Sequence, residues 1–194
     1  MDIDLVIDDL VEHGFVLVPQ FLDSTEVRGL ASAMQERRDL FCQAGVGRKE
    51  GHFVVEQIRG DHIYWIDARD PVAAQVLDRL NELKQSLNAA LYLGLDELEC
   101  HFAAYPAGSF YARHLDQHRG EDSRVVTVVL YLNSEWEEQD GGQLRLYLDE
   151  HRHLDVLPEG GKLVVFLSDR FEHEVLAARR ERLSLTGWFR RRSK

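Results

Sequence analysis

Three residues far apart in the chain have the types and spacing of a metal site: His114, Asp116 two positions on, and His173, 59 positions after His114. In an extended segment residues i and i+2 point to the same side, so an imidazole and a carboxylate at that spacing can converge on one ion. Alone, a His-x-Asp tripeptide is more often a solvated surface pair than a ligand pair. A second histidine inside a β-like segment changes the chemistry on offer. Two histidines and one carboxylate form one face of an iron(II) ion and leave three positions open, and open positions mean chemistry at the metal. Arg182 follows His173 by nine residues, an odd interval that puts the two on opposite faces of any single strand. Residues 177–181 must therefore turn, and His173 and Arg182 are expected on adjacent strands. Arg182, Ser184, Thr186 and Trp188 then share one face by period two, and a polar face on an otherwise apolar strand wants a ligand. A guanidinium is the natural bidentate partner of a carboxylate held away from the metal, and a surface arginine beside Arg179 and Arg180 is the alternative.

The strand 124–133 offers an independent check. Val126, Val128, Leu130 and Leu132 alternate with Val125, Thr127, Val129 and Tyr131, so both faces look buried while one carries a hydroxyl and a phenol. A buried tyrosine hydroxyl requires a partner, and a ligand carboxylate and a backbone carbonyl stand equally open.

The elements that must position these residues divide the chain in two. In the first half Ile3, Val6, Ile7, Leu10 and Val11 recur at helical spacing up to Gly14, ahead of the strand 15–18. Asp23-Ser24 caps a second helix whose apolar stripe is Val27, Leu30, Ala31, Met34 and Leu40, running to about Phe41. A glycine-rich charged stretch follows, with strands at 53–58 and 62–66. Pro71 opens a long helix marked by Val72, Val76, Leu80, Leu83, Leu87 and Leu91 and ending near Gly94. From about residue 96 the pattern becomes short β segments at 99–105, 124–133, 142–148, 162–167 and 183–190, punctuated by Gly141-Gly142 and Gly160-Gly161. This is a sandwich or barrel signature, and no linker is long enough to separate two domains. The expectation is one domain over 1–194, an α+β fold that is mainly β, in which residues 1–95 supply helical support plus a substrate loop at 44–61 and residues 96–190 form the core.

Composition sets bounds. The 194 residues are 44% apolar and 29% charged, enough to enclose a core and unlike a disordered chain. A net charge of −11 works against a nucleic-acid partner, because phosphate contacts need a basic surface. Residues 1–99 carry 9 basic and 19 acidic side chains, so the acidity lies mostly in the first half. No apolar run approaches a membrane span, and the Met1-Asp2-Ile3-Asp4 start lacks a basic signal region, so a cytoplasmic protein with no membrane partner is expected. Cys42 and Cys100 read as reduced, buried thiols and not as nucleophiles. His118, Asp122, His151 and His153 read as surface residues, the basic tail 190–194 as a solvated terminus, and Asp169-Arg170 as part of a turn before His173.

The ordered motifs resemble the iron(II)- and 2-oxoglutarate-dependent oxygenases, specifically the prolyl hydroxylases, and within these the hypoxia-inducible factor prolyl hydroxylases and their bacterial relatives. The stretches carrying the resemblance are Ile58-Arg59-Gly60-Asp61-His62-Ile63, Tyr105-Pro106, Tyr111-Ala112-Arg113-His114-Leu115-Asp116, Tyr131-Leu132-Asn133, Gly141-Gly142, Ser168-Asp169-Arg170 and His173-Glu174-Val175, then residues 182–189. The loops between Tyr105 and Tyr111 and between Arg170 and His173 each look about one residue shorter than in the animal enzymes. The resemblance implies a double-stranded β-helix, a jelly-roll or cupin-like core, buttressed by the N-terminal helices. It implies Fe(II) on His114, Asp116 and His173, and 2-oxoglutarate as cosubstrate held by Arg182 and Tyr131 with Tyr105, Thr186 and Trp188 lining its pocket. O2 completes the reaction, C4 hydroxylation of a prolyl residue with release of succinate and CO2. It further implies that 44–61 closes over a polypeptide substrate, ordered by Arg59 and Asp61, with Tyr111 and Arg113 beside it. The bacterial relatives make elongation factor Tu a candidate protein substrate. Free proline or another small molecule, and a noncatalytic jelly-roll module that keeps the metal as a structural ion, are the competing readings.

Overall fold

The structure is a computed structural model that describes residues 1–45, 58–67, 70–117 and 123–192. Helix α1 (Ile3–Glu12) is capped by Asp2, whose Oδ1 accepts from the backbone of Asp4 and Leu5, and it buries Val6 and Leu10. Val11 does not join the expected stripe and is 63% exposed. Gly14, at φ +82, releases the chain into β1 (Phe15–Val18). Helix α2 (Ser24–Glu36) begins in a capping box, where Asp23 accepts from Thr25 and Glu26 and the Glu26 carboxylate accepts from the Asp23 backbone. It stops five residues short of the expected end. A 3-10 turn at Arg38–Leu40 follows and leaves Leu40 61% exposed, while Phe41 turns back to stack on Tyr64 at 5.9 Å.

Next come β2 (Cys42–Gln43) and β3 (His62–Trp65). Cys42 is exposed and not buried as expected, because this two-residue strand lies at a sheet edge. The expected strand 53–58 and most of the loop 44–61 lie outside the described residues. Helix α3 (Ala74–Leu91) starts after a turn at Pro71, where Asp70 accepts from the Val72 backbone at 3.0 Å. Its Leu80, Leu83 and Leu87 are fully buried, each contributing on the order of 1.5–3 kcal/mol. No helix of the described residues is long and apolar enough to cross a membrane.

The remaining strands are β4 (Leu95–Tyr105), β5 (Tyr111–His114), β6 (Arg124–Tyr131), β7 (Leu144–Tyr147), β8 (His153–Val156), β9 (Leu163–Leu167), β10 (His173–Val175) and β11 (Arg182–Arg191). They form a seven-stranded sheet, β1-β9-β6-β11-β4-β3-β2, and a four-stranded sheet, β5-β10-β7-β8. All pairings are antiparallel. This is the jelly-roll architecture, with α1, α2 and α3 backing the larger sheet. Residues 1–95 give more than helical support, since β1, β2 and β3 complete the larger sheet at both edges.

Period-two alternation assigns the two faces. Val126, Val128, Leu130, Leu163, Val165, Leu185 and Phe189 pack into one cluster with the helices, and Val129, Tyr131, Val164, Phe166, Ala103 and Tyr105 pack into a second with Leu144, Leu146 and Val175 of the smaller sheet. Because β6 is covered on both sides, its residues from Val125 to Tyr131 are all buried.

Candidate metal and cosubstrate site

The smaller sheet delivers both histidines. In the β5–β10 pairing His114 lies directly opposite His173, and the chain leaving β5 brings Asp116 back over them. Asp116 Oδ1 is 3.5 Å from His114 Nε2, and Oδ2 is 3.6 Å from His173 Nε2. All three ligand atoms lie within 4.8 Å of one another, and Asp116 and His173 are buried. Each imidazole is fixed by a carbonyl two residues upstream, His114 Nδ1 at 2.9 Å from Ala112 O and His173 Nδ1 at 3.1 Å from Phe171 O. That bond keeps the proton on Nδ1 and leaves the Nε2 lone pair aimed at the common point, the tautomer a metal requires.

The carboxylate is fixed as well. Thr127 Oγ1 donates to Asp116 Oδ2 at 2.8 Å and lies 2.9 Å from Ser168 Oγ. Burial alone would raise the Asp116 pKa, but the His173 and His114 imidazoles outweigh it and hold the carboxyl well below its ordinary value. Burial lowers His173 to about 4, so it is a neutral ligand at neutral pH. Tyr111 stacks on His114 at 3.8 Å and 15°, and Phe166 meets His173 edge-on at 4.9 Å. Two imidazoles and one carboxylate, pre-oriented on one point, fit an Fe(II) ion with open positions.

Arg182 is on β11, in the other sheet. His173 and Arg182 are thus not on adjacent strands: the turn at 177–181 carries the chain from one sheet to the other, and the two residues face each other across the interior. Arg182 is 1% exposed, donates Nε to Gly142 O at 2.9 Å and Nη1 to Ser184 Oγ at 3.5 Å, and sits 5.1 Å from the ring centres of both Tyr105 and Tyr131. Among the described residues no carboxylate pairs with it. The Tyr131 hydroxyl is buried without a hydrogen-bond partner, and burial pushes its pKa up to about 12 while Arg182 pulls against the rise. A buried cation without a counter-ion beside an unpartnered phenol is the chemistry of a site that receives a carboxylate. Gly142, at φ +71, makes room for it: a Cβ there would come within 3.2 Å of Arg182 Cδ and 2.9 Å of Ala178 Cβ.

Thr186 and Trp188 continue the inward face of β11, Thr186 opposite His101 and Trp188 opposite Thr127. Arg59 and Asp61 form a bidentate pair at 2.7 and 2.6 Å, with Asp61 fully buried and the Arg59 guanidinium 4.4 Å from the Tyr111 ring centre. Asp61 raises the Arg59 pKa against the effect of burial. This stack runs Arg59–Tyr111–His114 and ends on a ligand. Arg113 points the other way. It lies 3.8 Å from the Tyr147 ring centre and pairs with Glu172 at 2.5 Å on the outer face of the smaller sheet, because neighbours in a strand alternate sides. His151 and His153 are exposed, as expected; His118 and Asp122 lie outside the described residues, as do Ser193 and Lys194. Arg190 belongs to β11 and pairs with Glu99 at 3.0 Å, so the basic stretch is not wholly a free terminus.

Sequence reasoning gave no role to Thr127 or to His101. Period two supplied a signal for each: Thr127 shares a face with Tyr131 in an apolar strand, and His101 shares one with Tyr105.

Comparison with known proteins agrees with this geometry. The 2OG-Fe(II) oxygenase superfamily matches residues 100–190. The chain is similar to a Pseudomonas putida prolyl-4-hydroxylase, with 47% identity, 98% of this chain and 100% of that chain covered, and a TM-score of 0.90. It is similar to a Trichoplax adhaerens prolyl hydroxylase solved in complex with a hypoxia inducible factor oxygen degradation domain peptide fragment, at 33% identity over 97% of this chain and 88% of that one, TM-score 0.83. The Caenorhabditis elegans hypoxia-inducible factor prolyl hydroxylase is 32% identical over 95% of this chain and 27% of its own length. Human Egl nine homolog 1 is 28% identical over 96% of this chain and 46% of its own. The chain thus spans less than half the length of these two curated relatives.

Proposed function

This chain belongs to the prolyl 4-hydroxylase family of Fe(II)- and 2-oxoglutarate-dependent oxygenases, and we propose on that footing that it hydroxylates C4 of a prolyl residue in a cytoplasmic protein, elongation factor Tu being the candidate substrate. The observation that carries the reading is the convergence of His114, Asp116 and His173 on one point, across the interior from a buried, unpaired Arg182. When bound, Fe(II) with 2-oxoglutarate and O2 supplies the oxidative chemistry, which yields succinate and CO2 with the hydroxylated product. The protein supplies the rest. His114 Nε2, His173 Nε2 and an Asp116 oxygen would hold the iron. Arg182 and the Tyr131 hydroxyl would take the distal carboxylate of 2-oxoglutarate, an acceptor-only group that satisfies both orphaned donors. Tyr105, Thr186 and Trp188 would wall the same space and keep water out, which strengthens that ion pair. Arg59, Asp61 and Tyr111 would form the substrate-side rim, with Arg113 contributing only by anchoring β5 through Glu172. No side chain is needed as general acid or base, so the protein's contribution is positioning.

The test incubates the protein with Fe(II), 2-oxoglutarate, heavy-isotope dioxygen and elongation factor Tu, with His173→Ala as control, followed by mass spectrometry. One heavy oxygen on a single proline, lost with the variant, is the expected result. Absence of label from material that binds metal and 2-oxoglutarate would remove elongation factor Tu as the substrate.

A further inference from the structure

We propose that His101 is a positioning residue of this site, donating Nδ1–H to an acceptor oxygen of the bound reactants. The inference rests on the reading of the site given above and names a residue that reading does not use.

The sheet registers place it. On the inward face of the larger sheet the strands align in rows: Tyr105–Arg182; then Ile63–Ala103–Ser184–Tyr131; then Trp65–His101–Thr186–Val129; then Glu99–Trp188–Thr127–Phe166. The first two rows hold the carboxylate-binding end, Arg182 and Tyr131. The fourth holds Thr127, which orients Asp116, and Phe166, which abuts His173. A molecule reaching from Arg182 to the metal ligands therefore passes the third row, where His101 and Thr186 are the polar residues.

His101 is not a satisfied core histidine. It is 3% exposed, and its Nδ1 has no hydrogen-bond partner among the described residues. Trp188 Nε1, one row along and diagonal to it, is also buried; it reaches no acceptor at normal hydrogen-bond geometry but is turned toward the Asp116 carboxylate, whose charge it helps to stabilise. An orphaned buried polar atom costs stability, so His101 Nδ1 on the wall of a binding site points to a ligand that satisfies it. The imidazole is also held in place, 4.8 Å from the ring centre of the half-exposed Trp65 and 5.5 Å from that of Trp188. Burial, reinforced by the Arg59 guanidinium, lowers its pKa to about 3, so it meets the ligand as a neutral hydrogen-bonding group. A neutral imidazole donates from one ring nitrogen, and carboxylate and carbonyl oxygens only accept, so such a ligand selects the Nδ1–H tautomer; the partner is the metal-side carboxylate of 2-oxoglutarate or a peptide carbonyl flanking the target proline.

The experiment compares wild type, His101→Leu and His101→Asn, the last placing an amide nitrogen near the position of Nδ1. Calorimetry of 2-oxoglutarate binding to the Ni(II)-loaded protein without oxygen gives one arm, and KM and kcat for the protein substrate give the other. The expected result is an about tenfold loss in one arm for His101→Leu, substantially recovered in His101→Asn, with the metal-free Leu variant at least as thermally stable as wild type because an orphan has been removed. Loss in 2-oxoglutarate affinity assigns the acceptor to the cosubstrate, and loss in KM alone assigns it to the peptide. Wild-type values in both arms, or a destabilised Leu variant that Asn does not rescue, would make His101 a packing residue and overturn the proposal. Failure of the wild-type protein itself to bind 2-oxoglutarate would count against the reading of the site, and the wild-type arm reports that separately.

Discussion

Replacing Arg182 with methionine separates the two things a buried guanidinium can do. In the free protein Arg182 pays a desolvation cost of several kcal/mol. That cost is partly offset by its bond to Gly142 O at 2.9 Å and by the faces of Tyr105 and Tyr131 at 5.1 Å. Methionine has similar length and loses both the cost and the compensation. The ligand-free variant should therefore stay within about 2 kcal/mol of wild type, or roughly 4–8 °C in Tm for a chain of this size. Toward 2-oxoglutarate the balance is one-sided, since removing one partner of a buried, hydrogen-bonded charge pair costs about 2–5 kcal/mol, or roughly 30- to 5000-fold in affinity. Thermal melting of the Ni(II)-loaded protein reads both effects. At a 2-oxoglutarate concentration about 100 times the wild-type Kd, wild type gains about 2.7 kcal/mol, a rise of roughly 5–11 °C. The variant, at least about 30-fold weaker, gains about 0.9 kcal/mol or less, at most roughly 4 °C. A variant that shifts as far as wild type would refute the assignment of Arg182 to the carboxylate. A collapse of ligand-free stability would make the residue structural.

Thr127→Val removes the hydroxyl that donates to Asp116 at 2.8 Å without changing side-chain volume much, and metal affinity should fall about 10- to 100-fold in a competition titration with a chelating dye. Gly142→Ala puts a methyl 2.9 Å from Ala178 Cβ at a φ of +71 and presses on Arg182, so 2-oxoglutarate affinity and Tm should both drop, by about 1–3 kcal/mol in stability on denaturant titration. The fold holds His101 neutral down to about pH 3, whereas the unfolded chain protonates it near 6.5. The unfolded state thus binds the extra proton between those values. Stability is lost as pH falls through that window, at up to about 1.4 kcal/mol per pH unit from this residue. Denaturant titrations of metal-free wild type and His101→Leu at pH 7 and pH 5 should show a smaller loss in the variant, and equal losses would contradict it.

Much of the site was legible in the chain because its signals are local. The two-residue step from His114 to Asp116 and the period-two run Arg182, Ser184, Thr186, Trp188 follow from strand geometry, which any extended segment obeys. The helices α1 and α3 and the strands β6, β7, β9 and β11 were legible for the same reason, being periodic over several residues. Short elements were not: β2, β5 and β8 run two to four residues, too few for a period to declare itself. The end of α2 was misplaced because Leu40 continues the helical spacing, while the packing of Phe41 on Tyr64 is a contact with a strand more than twenty residues later.

What remained hidden is non-local. Local periodicity shows which side chains of a strand share a face, but carries no information about which strand will lie beside it. Only the closed fold sets His114 opposite His173, sends Arg182 into the facing sheet, turns Arg113 outward onto Tyr147 and Glu172, and leaves Tyr131 and His101 without hydrogen-bond partners on the inner wall. Whether a polar group in an apolar strand is satisfied or orphaned depends on atoms tens of residues away. Residue types and spacing could therefore name the metal ligands, while the orphaned groups that mark the space for a ligand emerge only when the two sheets pack together.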